Sequence, residues 1–284
     1  MLMKTVNKYF KNSIIIIASL LFVGLSSCQE SKSSNTIVKN NIPNKTQNKM
    51  QVEIWSDVMC PFCYIGKRKF EAALAKFSDS ASIEIIWKSY QLNPDMKTDP
   101  NKNSVAALAE NKGISIAESE EMHKYVINMA SNVGLNYNMN KTISANSFNA
   151  HRLTHYAKSK GKQLEAEEKL FDAYFISGKN IDDTNTLLEL GLSIGLPKEE
   201  LLKVLQGNDY TDEVNKDIFE AQQVGVKGVP FFVFDKKFAI SGAQESAVFL
   251  TSLQKAFEEW KKNNPNAALK VVEGKVCKPE KDCD

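Results

Sequence analysis

Histidine is scarce in this chain, three in 284 residues, and no HExxH motif occurs. A zinc centre built on a helical histidine pair therefore has little to draw on. His151 and His155 stand four apart and would share a helical face, but no third ligand lies near them. They read as core or surface histidines, with His155 and Arg152 as a solvated edge, and no metal is expected. Charge of one sign is lacking too: 36 Lys and Arg face 34 Asp and Glu, a formal net charge of +2. No basic excess is left for a nucleic-acid partner. The apolar run Ser13–Leu25 is also shorter than the about 20 residues needed to span a bilayer.

That run follows a segment carrying Lys4, Lys8 and Lys11 and no acid, the order of a secretory signal. It ends in "LSSC" at Leu25–Cys28, which resembles the lipobox of bacterial lipoproteins. The resemblance implies that residues 1–27 are removed, that Cys28 is lipidated, and that the chain is held at the membrane in the cell envelope, on its periplasmic side. An ordinary cleaved signal is the alternative. Losing three lysines would take the formal charge from +2 to −1. Gln29–Lys49 is polar and aperiodic, so residues 28–49 read as the lipidated N-terminus and a flexible tether.

Residues 50–262 have a globular composition. "QVEIWS" at 51–56 alternates as a strand does, Cys60–Phe77 carries apolar residues at helical spacing, and "SIEIIWKSYQL" at 82–92 is strand-like again. From Ser104 to Val224 the segments read helical, with no clear β-signal; Phe171, Tyr174 and Phe175 follow Leu164 on one face. "VPFFVFDKKFAISG" at 229–242 predicts a hairpin around a two-lysine turn. A last helix from about Glu245 to Trp260 buries Val248, Phe249, Ser252, Leu253, Ala256, Phe257 and Trp260. The order β, α, β, helical block, β, β, α predicts an α/β, thioredoxin-like fold with a large all-helical insertion after the second strand. Its first part is 50–100, the insertion 101–224, the second part 225–262, and 263–284 forms a tail.

Five cysteines is an odd count for an exported chain; setting Cys28 aside leaves Cys60 with Cys63, and Cys277 with Cys283. Cys60-Pro-Phe-Cys63 opens the first helix. A thiolate there faces unpaired N–H groups and the positive end of the helix dipole, so Cys60 is the candidate nucleophile. The dipole, worth about 0.3–2 kcal/mol, lowers a pKa by only about 0.2–1.5 units. Any larger shift must come from direct hydrogen bonds. Pro61 suits the first helical turn, where its missing N–H costs nothing. Two inert buried thiols, or a zinc site built from both cysteine pairs, are the alternatives.

"DVMCPFCYIGKRKFE", "SFNAHRLTHYAKSKGK", "LFDAYFISGKNIDD" and "GVKGVPFFVFDKKFAISGAQ" together resemble the DsbA-like thioredoxin family, in its FrnE branch, from about Val52 to Trp260. The resemblance implies a thiol–disulfide oxidoreductase in which Cys60 attacks and Cys63 resolves the mixed disulfide. It further implies a cis Val229–Pro230 bond, with Val229 pairing its backbone to an extended substrate and Pro230 facing the cysteines. Phe62 is a candidate apolar contact for an unfolded chain, whereas Trp55 and Tyr64 read as core. The expected partners are exported or unfolded cysteine-containing proteins and a redox recycling partner. No cofactor beyond the redox disulfide is needed, though glutathione would be an acceptable exchange partner. Asn146, Phe148 and Arg152 match a helical motif of the family without an assigned chemistry. Cys277 and Cys283 form either a structural disulfide or a second redox pair. A second function class keeps the fold: kappa-type glutathione transferases and 2-hydroxychromene-2-carboxylate isomerases, which lack the resolving cysteine. A third, a lipid-tethered binding module without enzymatic activity, would need no CxxC.

Overall fold

The computed structural model describes residues 49–265. The signal segment, Cys28 and its tether, Cys277 and Cys283 lie outside the described residues. Strand β1 (Met50–Ser56) leads into helix α1 (Pro61–Leu74), and β2 (Ile83–Ser89) returns parallel to β1 with Val52 opposite Ile85 and Ile54 opposite Trp87. Far along the chain, β5 (Phe231–Phe234) and β6 (Phe238–Ser241) form the expected hairpin. With β5 antiparallel to β1, the sheet order is β2-β1-β5-β6. The hairpin turns on Asp235 and Lys236, both at positive φ, rather than on the two lysines. Two central residues in that region match the twist of the flanking strands.

Alternation along the strands decides what each face carries. Ile54 and Phe232 point to the side where α1 and the last helix, α9 (Ser246–Asn263), pack; the Phe70 ring lies 5.5 Å from Phe232 and 5.7 Å from Phe249. Trp55 and Val233 point the other way, onto α8 (Thr211–Val224), where Ala221 is buried and Trp55 Nε1 donates to the Asp217 carbonyl at 3.0 Å. In α9 the buried stripe is Phe249, Leu253, Ala256, Phe257 and Trp260. Val248, read as part of it, is 44% exposed in the first turn.

Between β2 and α8 lies the helical block: α2 (Ser104–Lys112), α3 (Ile116–Ser131), α4 (Phe148–Ser159), α5 (Gln163–Phe171), α6 (Thr184–Ser193) and α7 (Lys198–Gln206). Ser115 and Glu118 close a capping box at the start of α3, and a π-helical turn at Asp172–Ile176 extends α5. The expectation of no strand near this block fails: β3 (Asp99–Asn103) pairs antiparallel with β4 (Ile143–Ser144). A two-residue strand facing the polar run "DPNKN" carries no period-2 pattern to read. Leu164 is exposed, while Phe171, Tyr174 and Phe175 are buried.

His155 and Arg152 are also corrected. Neither is a solvated edge, being 8% and 4% exposed. His155 Nε2 meets Asp217 Oδ2 at 3.0 Å and Ser89 Oγ at 3.1 Å. The Arg152 guanidinium donates to the carbonyls of Val204, Gly207 and Asp209, the open end of α7, and is steadied by Asn149. The outer edge of β2 is closed by side chains. Gln163 accepts from Trp87 N at 3.2 Å and donates to Trp87 O at 3.0 Å, and Asp217 accepts from Ser89 N at 2.9 Å.

Candidate active site

Cys60 is the N-cap of α1, at extended φ and ψ, and makes no side-chain cap bond. Pro61 opens the helix, and no acid stands in the first turn. The free N–H groups of that turn therefore have no built-in anion, the arrangement that favours a thiolate. Both cysteines are free thiols. Cys60 is 3% exposed, and its Sγ donates to the Val229 carbonyl at 3.5 Å. The Val229–Pro230 peptide is cis, so the segment the family resemblance points to does face Cys60. Cys63 is fully buried. Burial first, then the hydrogen bond and charge of Cys60, push its thiol well above the ordinary value; the Ser56 hydroxyl and the Asp57 backbone pull weakly the other way.

Helix α1 approaches the Pro230 loop so closely that only glycine fits at position 66. A Cβ there would lie 2.9 Å from Pro230 Cγ. Beneath the cysteines, Asp57 is 1% exposed. Its carboxylate accepts from Met59 N at 3.2 Å and Leu92 N at 2.7 Å, and its carbonyl accepts from Cys60 N at 2.9 Å. The loop leading into the CxxC is thus pinned by a single residue, through its side chain and its carbonyl. From the helical block, Tyr137 donates to the Pro61 carbonyl at 2.8 Å and stacks on Phe175 at 4.7 Å, while Tyr64 stacks on Phe171 at 4.9 Å. Burial and the neighbouring Cys60 and Cys63 raise the Tyr137 pKa, so its hydroxyl keeps its proton and remains a donor.

A groove of about 770 Å³ opens beside Cys60. Its lining is largely apolar, with Phe62, Leu92, Met122, Tyr125, Val126 and Val229 among its walls. Met122, Tyr125 and Leu92 are 43%, 63% and 53% exposed. Of the residues singled out by sequence, Cys60, Pro61, Phe62 and Val229 meet at this groove, with Pro230 next in chain. Cys63 sits beneath them in the core. Asn146, by contrast, ties loops together through the Pro94 and Met96 carbonyls. The other half of a four-cysteine zinc site would be Cys277 and Cys283, outside the described residues.

Sequence reading missed Asp57, Gly66, Tyr137 and Glu167. Glu167 had a signal: it precedes Leu170, Phe171 and Tyr174 at helical spacing, and so falls on the buried stripe. Its 3% exposure agrees, and burial raises its carboxyl to about 7 against the opposing pull of His151, Lys67 and the Thr154 hydroxyl. The next residue, Glu168, goes the other way. Burial would raise it, but hydrogen bonds from Arg68, Lys67 and Tyr64 outweigh that and hold it at about 2.

The fold and this site define a thioredoxin-like protein with a helical insertion and a paired-cysteine centre. Residues 51–254 match the DSBA-like thioredoxin domain, and the chain belongs to that family of thiol–disulfide oxidoreductases. It is similar to a probable DsbA oxidoreductase from Streptomyces coelicolor, with 33% identity and a TM-score of 0.70, covering 81% of this chain and 97% of that one. It is 25% identical over 213 residues to the uncharacterized protein YwbO of Bacillus subtilis (strain 168), covering 70% of this chain and 94% of that protein. A 2-hydroxychromene-2-carboxylate isomerase structure shares the fold, at 18% identity and a TM-score of 0.53, covering 77% of this chain and all of that one.

Proposed function

We propose that this protein exchanges disulfides with cysteines of exported, incompletely folded proteins, and that it is a member of the FrnE branch. Cys60 attacks, and Cys63 resolves the mixed disulfide. The observation that carries this reading is the position of Cys60: an uncapped helix N-terminus, a 3.5 Å contact to the carbonyl before the cis proline, and an apolar groove beside it. Met122, Tyr125 and Phe62 suit the apolar side chains of an unfolded chain better than a charged small molecule, and an extended segment would pair with the backbone at Val229. Cys63 argues against the glutathione-transferase and isomerase alternative, since those enzymes need no second thiol, and no bound cofactor is invoked. Glutathione or a membrane redox protein would serve as the recycling partner.

The test is exchange of an oxidised or reduced cysteine peptide by the purified chain. Cys60→Ser abolishes turnover, whereas Cys63→Ser stops at a trapped mixed disulfide on Cys60; turnover that survives Cys60→Ser sinks the proposal. The Pro-Phe dipeptide lacks the histidine that steadies the DsbA thiolate. The expected potential therefore falls between about −120 and about −270 mV, to be read by equilibration with glutathione. Lipidation at Cys28, periplasmic exposure and the state of Cys277 and Cys283 are part of the same proposal. Intact mass of the membrane-extracted protein, before and after thiol alkylation, tests them together.

A further inference from the structure

Tyr137 reaches from the helical block to the first turn of the cysteine helix. It stands between α3 and β4, 7% exposed, with its ring stacked on Phe175 at 4.7 Å and 22°. The amide of the next residue, Asn138, donates to the Phe175 carbonyl at 2.7 Å, so ring and backbone are fixed against the same neighbour. From that position the hydroxyl donates to the Pro61 carbonyl at 2.8 Å.

What this bond does follows from the donors open to Cys60. As a thiol, Cys60 Sγ donates to the Val229 carbonyl at 3.5 Å. As a thiolate it has no proton to give and needs donors instead. A side chain at a helix N-cap takes them from the second and third helical residues, here Phe62 and Cys63. Pro61 has no N–H, and the Cys63 N–H is given to the Cys60 carbonyl at 3.0 Å. The Phe62 N–H is left. It belongs to the same peptide group as the Pro61 carbonyl, the group that Tyr137 grips. A donor on that carbonyl draws electron density from the nitrogen and fixes the amide plane. The N–H becomes the stronger donor, by about 10–30% per bond along such a chain.

Resting on the thiol–disulfide reading above, we propose that Tyr137 is a positioning residue for the nucleophile: its hydroxyl, through the Pro61–Phe62 peptide group, holds and polarises the N–H that receives the Cys60 thiolate. The Cys60 thiol gives its proton to water, and the thiolate attacks a substrate disulfide. One S–S bond forms as the substrate's own breaks, and the second substrate sulfur leaves as a thiolate. Tyr137 touches no substrate and keeps its own proton throughout. Burial, then the charges of Cys60 and Cys63, hold that proton in place, against a weaker pull from Arg68; Tyr64, stacked 6.1 Å away, is the other ionisable neighbour. The helical insertion thereby acts on the sulfur chemistry through a hydroxyl and a shared amide.

The experiment labels the reduced full chain with iodoacetamide across a pH series and reads Cys60 by mass spectrometry. Tyr137→Phe keeps the stacked ring and removes the donor. Its labelling profile should move to higher pH. Below the inflection, Cys60 should react about threefold more slowly than in the wild type, the effect of weakening one charge-assisted hydrogen bond by up to about 30%. Above it, where both proteins carry the thiolate, the rates should converge. A merely loosened fold would change the rate by one factor at every pH. Such a uniform change, or an inflection unmoved or moved downward, overturns the proposal. Should that variant not fold, Tyr137→3-fluorotyrosine, a stronger donor of nearly the same shape, decides it: an inflection moved to lower pH supports the proposal, and one unmoved or raised overturns it. A parallel incubation with an oxidised cysteine peptide separates two failures. A wild type that never exchanges with the peptide ends the thiol–disulfide reading, whereas exchange with an unshifted profile ends only the role of Tyr137.

Discussion

Glu167 and Glu168 are neighbours on α5, and both lie near Lys67 of α1, yet their carboxyls move in opposite directions, to about 7 and about 2. The difference is burial first, Glu167 being the deeper of the two, and then hydrogen bonding, rather than distance from charge. Glu168 receives Lys67, Arg68 and the Tyr64 hydroxyl directly, Tyr64 at 2.6 Å and Lys67 at 2.5 Å. Glu167 has one oxygen with no donor at all. One carboxylate secures α1 to the helical block, and its neighbour carries an ionisation cost in the core. Charge alone is a poor guide to what a buried acid does; its burial and its donors decide together.

The largest expected effect comes from removing the costly member. The folded-state pKa of Glu167 is raised, so its contribution to stability is fully present below its ordinary 4.5 and is lost as pH rises through about 7. That loss amounts to about 3 kcal/mol at most. Glu167→Gln should therefore be more stable than the wild type in urea at pH 8, by up to that amount, with the gain gone below 4.5; equal stability at every pH would break the comparison.

Next comes Glu168→Gln, which leaves the nearly buried Lys67 with Glu71 alone. The expected loss is about 2 kcal/mol at neutral pH, between the limits for surface and buried pairs because Glu168 is partly exposed. Here the sign reverses: the folded-state pKa is depressed, so the contribution is present above 4.5 and fades as pH falls toward about 2. Urea melts at both ends of that window would show it. Tyr64→Phe should cost less, about 1 kcal/mol for one hydrogen bond to a partly exposed carboxylate. It should raise the Glu168 pKa slightly, a change that carbon-detected NMR titration of the carboxylate would read.

The cysteine helix, the two parallel strands, the hairpin and the last helix were legible because period-2 and period-3.6 patterns run through them. Cys60 was legible from a CxxC at a helix start, and the Val229–Pro230 segment through the family resemblance. Three buried polar side chains were not: Asp57, His151 and Glu167 come from segments about 15 to 110 residues apart in sequence, and only packing brings them together. Periodicity places Glu167 on a buried stripe, but nothing in one dimension says that its donors stop at Glu168. The short pairing of β3 with β4 escaped because it rests on backbone bonds alone. His155 and Arg152 were misread because polar side chains on a helix look solvated until the carbonyls and carboxylates they serve are placed beside them.

The Gln163 side chain, bonded to both backbone groups of Trp87, occupies ladder positions that another strand could otherwise take. If it acts on unfolded chains, as proposed above, the protein would meet many extended segments in search of a sheet edge. With β2 blunted in this way, adding a strand there would first require breaking two internal bonds. Under the proposed function a client chain would thereby be steered away from sticking along the sheet and toward Val229, where pairing would bring its cysteine to Cys60. The glutamine would then act as a guard against fruitless association, through its bonds to Trp87 rather than through sulfur chemistry.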